Sequence, residues 1–157
     1  MGMDVHGKNP TSEVGEYFRN NVWWWHPLWI YVEELAPHLT EGVSGHTNDG
    51  DGLAAKAAAE LAGILTAEID AGRTAEYEKA RTAALEAMPD EVCWLCKGAG
   101  TRTDGTAVKL GIADGRPCNN CEGKGTERPW ATNYPFEVEN VVEFRDFVAA
   151  SGGFEIW

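Results

Sequence analysis

The strongest constraint on this chain is an eight-residue pattern that occurs twice. It reads Cys93-Trp94-Leu95-Cys96-Lys97-Gly98-Ala99-Gly100 and again Cys118-Asn119-Asn120-Cys121-Glu122-Gly123-Lys124-Gly125, both of the form Cys-x-x-Cys-x-Gly-x-Gly. Two residues between thiolates let both sulfurs face one tetrahedral ion at about 2.3 Å, and the glycines supply turns that a side chain would obstruct. The two copies, with 21 residues between Cys96 and Cys118, use all 4 cysteines of the chain and complete a four-sulfur set with no open coordination position. The expected ligands are Cys93, Cys96, Cys118 and Cys121, holding one zinc in a structural and not a hydrolytic role. The competing reading is a redox dithiol or a pair of disulfides, which a reducing compartment disfavours.

The rest of the composition sets the class. With 157 residues, 43 % hydrophobic and 24 % charged, the chain has the material for a buried core and is not a disordered tail. A formal charge of −12 and the lack of a long apolar run argue against general nucleic-acid binding and against a membrane span. The N-terminal residues lack the cationic and apolar regions of a secretory signal, so a cytoplasmic location is expected. The acids dominate residues 1–92 and 130–157, whereas residues 93–129 carry 6 bases against 4 acids. Lys97, Arg102, Arg116, Lys124 and Arg128 either offset an anionic four-thiolate cluster or form an ordinary solvated surface.

Periodicity predicts an α+β, mostly helical fold with about four helices, a small β pairing and a zinc-bound β-hairpin. Residues 1–22 read as an irregular lead-in containing a short strand at 3–6, with Asp4 and His6 on one face. A first helix is expected from Pro27 to its stop at Pro37, with Leu28, Tyr31, Val32 and Leu35 inward. Leu53, Ala57, Leu61, Ile64, Leu65 and Ile69 mark a second helix that Gly72 ends. Residues 74–88 mark a third, with Tyr77, Ala80, Ala84 and Met88 inward. Val138, Val141, Phe144 and Val148 give a fourth, and the alternation in 154–157 suits a strand pairing with 3–6. The chain reads as a single domain, 1–157, carrying residues 90–130 as a zinc-binding hairpin module with turns at Asp104-Gly105 and Asp114-Gly115.

Two further clusters are candidate sites. The block Arg19-Asn20-Asn21-Val22-Trp23-Trp24-Trp25-His26-Pro27-Leu28-Trp29 holds four Trp in seven positions. Three consecutive Trp cannot share one direction, so some build the core and at least one is left to line a cleft. The stretch His46-Thr47-Asn48-Asp49-Gly50-Asp51-Gly52 fails as a calcium loop, because Leu53 and Ala54 stand where an oxygen ligand and the turn glycine are needed. Its residues Asn48, Asp49 or Asp51 either cap the second helix or join His6, His26 and His46 in a polar site. The fullest version of that site combines Asp4, His6, Arg19, Asn20, Asn21, Trp24, His26, His46, Asn48 and Asp49, with Arg128 and Trp130 at its rim. It would bind a small anionic, nucleotide-like ligand through its few cations. None of the four histidines has a sequence neighbour that makes a convincing catalytic pair.

The double pattern resembles the cysteine-rich domain of J-domain chaperones, in which such knuckles pair across a β-hairpin to bind zinc. This chain has two knuckles where those domains usually have four, and no His-Pro-Asp signature. Over nearly its whole length, from Gly-Met-Asp-Val-His-Gly to Ser-Gly-Gly-Phe-Glu-Ile, it also resembles small uncharacterised proteins of bacteriophages and prophages. The second resemblance implies a phage origin and no activity. The acidic charge, the closed metal site and the polar, Trp-lined surface lead to the expectation of a zinc-stabilised, non-catalytic accessory protein that binds a host protein or captures a small ligand in the host cytoplasm. The phage resemblance extends this to interference with host defence. An enzyme using an Asp/His-lined pocket near the Trp block and a chaperone-like peptide-binding module are the rival expectations.

Overall fold

A computed structural model describes residues 2–102, 104–113 and 115–157. The turn expected at Asp114-Gly115 falls partly outside these residues. The described residues form a mixed α+β fold in two compact units, residues 2–83 with Asn133–Trp157 and, separately, Ala84–Thr132.

The first unit is built on a four-stranded antiparallel sheet in the order β2-β1-β6-β3. In β1 (Gly2–Gly7) Met3 and Val5 are buried and Asp4 and His6 point the other way. The C-terminal strand β6 (Gly153–Ile156) pairs with it as expected, Val5 opposite Ile156 and Gly7 opposite Phe154. The other two strands correct the sequence reading. β2 (Tyr17–Asn21) lies within the stretch read as irregular and runs beside β1, with Met3 opposite Asn20 and Val5 opposite Phe18. β3 (Asp51–Ala54) pairs with β6, Leu53 opposite Phe154. Both are polar or glycine-containing segments that a propensity argument demotes and that ladder pairing and burial of Phe18 and Leu53 rescue.

Helix α1 (Val22–Leu35) starts five residues before Pro27, because Asn21 accepts a hydrogen bond from Trp23 N at 3.1 Å and caps it there. Pro27 therefore sits inside the helix and deletes one bond near its start. The short α2 (Pro37–Thr40) follows. In α3 (Ala55–Asp70) the face Ala58, Leu61, Ala62 and Leu65 is buried, but its N-cap is Ala54, with no side-chain cap. The capping role expected of Asn48, Asp49 or Asp51 is thus corrected: Asp51 instead accepts from Ser44 N and Gly52 N, both at 2.8 Å, and braces its own loop.

Helix α4 (Arg73–Glu86) buries Thr74 and half-buries Tyr77, while Ala80 and Ala84, expected inward, are exposed. Alanine burial is too weak to set the register against the Tyr77 ring, which lies 4.7 Å from both Tyr31 and Phe136. The chain returns in α6 (Val138–Ser151), which buries Val141, Phe144, Phe147 and Val148 and ends at the left-handed Gly152. The core centre is aromatic. Trp25 stacks on Trp29 at 5.5 Å and meets Phe144 edge-on at 5.6 Å, and Phe144 lies 5.3 Å from Phe18 and 5.9 Å from Phe154.

The second unit has little regular structure. A two-residue ribbon of β4 (Glu91–Val92) and β5 (Thr126–Glu127) brackets both knuckles. The Asp104-Gly105 pair, expected as a turn between strands, instead opens helix α5 (Gly105–Lys109), where Asp104 accepts from the backbone N–H groups of Thr106 and Ala107. No helix among the described residues is long and apolar enough to cross a membrane.

Leu61 and Phe144 are fully buried, so Leu61→Ala and Phe144→Ala should each lower unfolding free energy by about 2–5 kcal/mol in urea titrations. Glu78 looks like plain surface in sequence, yet it accepts from Val138 N at 3.2 Å at the start of α6. Glu78→Ala should therefore cost about 1 kcal/mol, whereas an unchanged midpoint would show that this cap carries no stability.

Candidate metal centre and polar clusters

The two knuckles have the same local conformation. Lys97 and Gly98 in the first, and Glu122 and Gly123 in the second, all have positive φ, as do the closing Gly100 and Gly125. Their cross-links are reciprocal: Cys93 N donates to Gly125 O at 2.9 Å, and Cys118 N donates to Gly100 O at 2.7 Å. A Cβ on Gly100 would stand 2.6 Å from Gly123 O, and one on Gly125 would stand 2.6 Å from Gly98 O. The terminal glycine of each copy is required because the other copy's backbone occupies the space a side chain needs. The repeated sequence thus produces a local two-fold arrangement.

That arrangement gathers four buried sulfurs. Cys93 Sγ and Cys118 Sγ are 4.0 Å apart, Cys96 Sγ and Cys121 Sγ are 3.7 Å apart, and all four lie within 4.8 Å of one another. A tetrahedral ion with metal–sulfur bonds of about 2.3 Å requires sulfurs about 3.8 Å apart. These separations match that and are far from the roughly 2.05 Å of a disulfide; all four cysteines are free. The set can hold one metal ion.

Polar groups around the sulfurs are those that stabilise thiolates. Asn120 Nδ2 donates to Cys93 Sγ at 3.3 Å and Gly125 N donates to Cys121 Sγ at 3.2 Å. Burial raises the Cys93 thiol, but the backbone N–H of Cys96, Asn120 and the backbone N–H of Leu95 outweigh it and bring the group down to about 6. Burial, with Cys96 and Cys118 beside it, pushes the Cys121 thiol up to about 11. Asn120 also donates to Glu127, which in turn accepts from Trp94 N at 2.8 Å, so the ligand-bearing turns are tied to β5. Asn120 and Glu127 were not singled out in the sequence. Asn120 was recoverable as one of the two residues inside the second Cys-x-x-Cys.

Of the bases proposed to offset the cluster, Arg102 lies in the field of Cys118 and also pairs with Asp104 at 2.5 Å. Lys124 pairs with Glu122 at 3.7 Å. Arg128 does something the sequence did not suggest. It donates to Leu85 O at 2.6 Å and Met88 O at 2.5 Å and pairs with Asp90 at 3.2 Å, so it closes the end of α4 and is engaged there in place of the ligand rim proposed for it. Trp130 is 66 % exposed.

The remaining candidates fall into two clusters of the first unit. On the outward sheet face Asp4 accepts from Tyr17 OH and lies 3.8 Å from Arg19 Nε, while the His6 ring packs at a tilt against Tyr17 with ring centres 5.1 Å apart. The Asp4 carboxylate beside it raises the Tyr17 hydroxyl's pKa. Gly2, Arg19, Asn20 and Asn21 line a shallow cavity of about 350 Å³. Asn20 is itself buried and donates to Asn140 Oδ1 at 2.5 Å.

The second cluster is where the Trp block meets the loop at Gly45 and His46. Trp25 Nε1 donates to Gly45 O at 2.7 Å, His26 Nδ1 lies 2.9 Å from His46 Nδ1, and His46 Nε2 lies 3.2 Å from Glu33 Oε2. Trp24 is half-buried, Asn48 donates to Gly2 O at 3.2 Å, and Asp49 is exposed. Glu33 escaped the sequence reading, although His26, Trp29 and Glu33 follow one helical stripe at i, i+3, i+7.

No family model, curated protein or solved structure matches the chain.

Gly100→Ala adds a methyl against Gly123 O at a position already in left-handed conformation. It should lower metal retention sharply in competition with a chromophoric chelator, while Gly63→Ala, which meets nothing within 4 Å, should leave retention unchanged. Equal retention by the two variants would contradict the reciprocal packing of the knuckles.

Proposed function

We propose that this chain is a binding protein whose Ala84–Thr132 unit is folded around one structural zinc and presents apolar side chains to a protein partner. One observation carries the reading. The buried apolar cluster of that unit consists of Cys93, Cys96, Cys118 and Cys121, with Leu95 packed partly against it, while Val92, Trp94, Val108, Leu110 and Trp130 are each more than 60 % exposed. A unit that buries its sulfurs and exposes its large side chains lacks a core of its own, and a metal supplies what burial does not. Four thiolates at tetrahedral spacing favour zinc, and with all positions filled by sulfur the ion holds the fold and offers no site to a substrate. Large exposed apolar side chains clustered in one small unit are the usual mark of an interaction surface.

The phage resemblance would make the partner a host protein and the setting the host cytoplasm, where reduced thiols suit a zinc site. A second reading, capture of a small anionic ligand, is supported by the cavity at Gly2, Arg19, Asn20 and Asn21, where the Arg19 guanidinium, 3.8 Å from Asp4, is the cation.

Chelation tests the fold part of the proposal. A strong chelator should remove one zinc per chain and collapse the amide dispersion of residues 90–130. Most of the helical circular dichroism should survive, since α1, α3 and α6 belong to the other unit. Binding is tested by affinity capture from host cells, in which Trp94→Ala with Leu110→Ala should abolish a specific partner without changing zinc content. Capture unaffected by the double variant would overturn the surface assignment.

A further inference from the structure

We propose that His26 and His46 form a second, weaker site for a divalent transition-metal ion, bound through Nδ1 of both rings, with Glu33 orienting His46 from behind.

The tautomers follow from the partners. Glu33 Oε2 lies 3.2 Å from His46 Nε2 and, as a carboxylate, can only accept, so the His46 proton is on Nε2 and its Nδ1 presents a bare lone pair. That lone pair faces His26 Nδ1 at 2.9 Å. Two ring nitrogens at this distance share either a proton or a metal ion. With metal–nitrogen bonds of about 2.0–2.1 Å, nitrogens 2.9 Å apart subtend about a right angle at the ion, the cis relation of octahedral coordination. Widening by a few tenths of an ångström gives the tetrahedral angle. On binding, the neutral His26 ring exchanges its proton through water to Nε2, so charge and protons balance.

Further features are those of a ligating histidine and not of a chance contact. A carboxylate on the far nitrogen is the arrangement that fixes tautomer and raises ligand basicity in metal sites. Glu33 is itself anchored, since Trp29 Nε1, on a fully buried ring, donates to Glu33 Oε1 at 3.0 Å. The loop carrying His46 is fixed by the bond from the buried Trp25 to Gly45 O. Burial and the neighbouring His46 also lower the basicity of His26, keeping its ring neutral as ligation requires. His26 is half-buried and His46 is exposed, so water can complete the coordination shell. Imidazole nitrogen suits zinc, nickel or copper.

The test uses the full chain already carrying its tight metal equivalent, titrated with Zn²⁺ and followed through the ring nitrogens of the four histidines by long-range ¹H–¹⁵N correlation. The Nδ1 signals of His26 and His46 should shift together and saturate near one added equivalent, with those of His6 and His38 unmoved. Glu33→Gln should weaken this equivalent about tenfold or more, and His46→Gln should abolish it, with the tight equivalent retained in both. Ring nitrogens that stay unmoved at several equivalents would show a shared proton and no metal site. Equal shifts at His6 and His38 would show non-specific binding, and either result overturns the proposal. Loss of the tight equivalent would instead count against the four-cysteine centre, so the two claims fail separately.

Discussion

Four sulfurs around one point are what the Ala84–Thr132 unit has in place of a hydrophobic core. Its ribbon is two residues long on each side, its helix α5 spans Gly105–Lys109, and its largest apolar side chains face solvent. Burial of that scale does not offset the entropy of ordering such a chain. The rest of the unit can be understood as what is needed to aim thiolates. Paired left-handed turns swing each Cys-x-x-Cys inward, the closing glycines let the copies touch backbone to backbone, and each first cysteine's N–H is satisfied by the other copy.

The first unit rests on a different balance. Its core is a cluster of rings, Trp25 and Trp29 from α1, Phe144 and Phe147 from α6, Phe18 and Phe154 from the sheet. The two ends of the chain are joined in that sheet, where the β1–β6 pairing also brings Asp4 and Trp157 into mutual backbone hydrogen bonds of 2.7 Å. Two of the buried rings serve the surface as well. Trp25 holds the loop at Gly45 and Trp29 holds Glu33, so the His26–His46 pair is positioned by core side chains and not by the loop itself.

What could be read from sequence was what is local or periodic. The four-cysteine cluster follows from spacing alone, and the inward positions of α3 and α6 follow from a clean helical stripe. The pairing of 3–6 with the terminal strand followed from alternation at both ends. The misses were non-local. A strand of Tyr-Phe-Arg-Asn-Asn is stabilised by its partner β1, which nothing in the segment announces, and Asn21 acts as the cap of α1 because β2 delivers it there. Asp51 is diverted from helix capping by Ser44, seven residues earlier. Arg128 gave no local sign that it would meet the end of a helix some forty residues upstream. For the His pair the chemistry was visible as residue types, but Glu33, which decides the tautomer, had to be found in space.

The account depends most on one ion bound by sulfur alone, and X-ray absorption at the zinc edge of the purified chain carrying a single zinc equivalent reads that directly. The predicted spectrum fits a single shell of four sulfurs at about 2.3 Å. A shell containing nitrogen or oxygen donors, or a protein that retains no zinc, would contradict it.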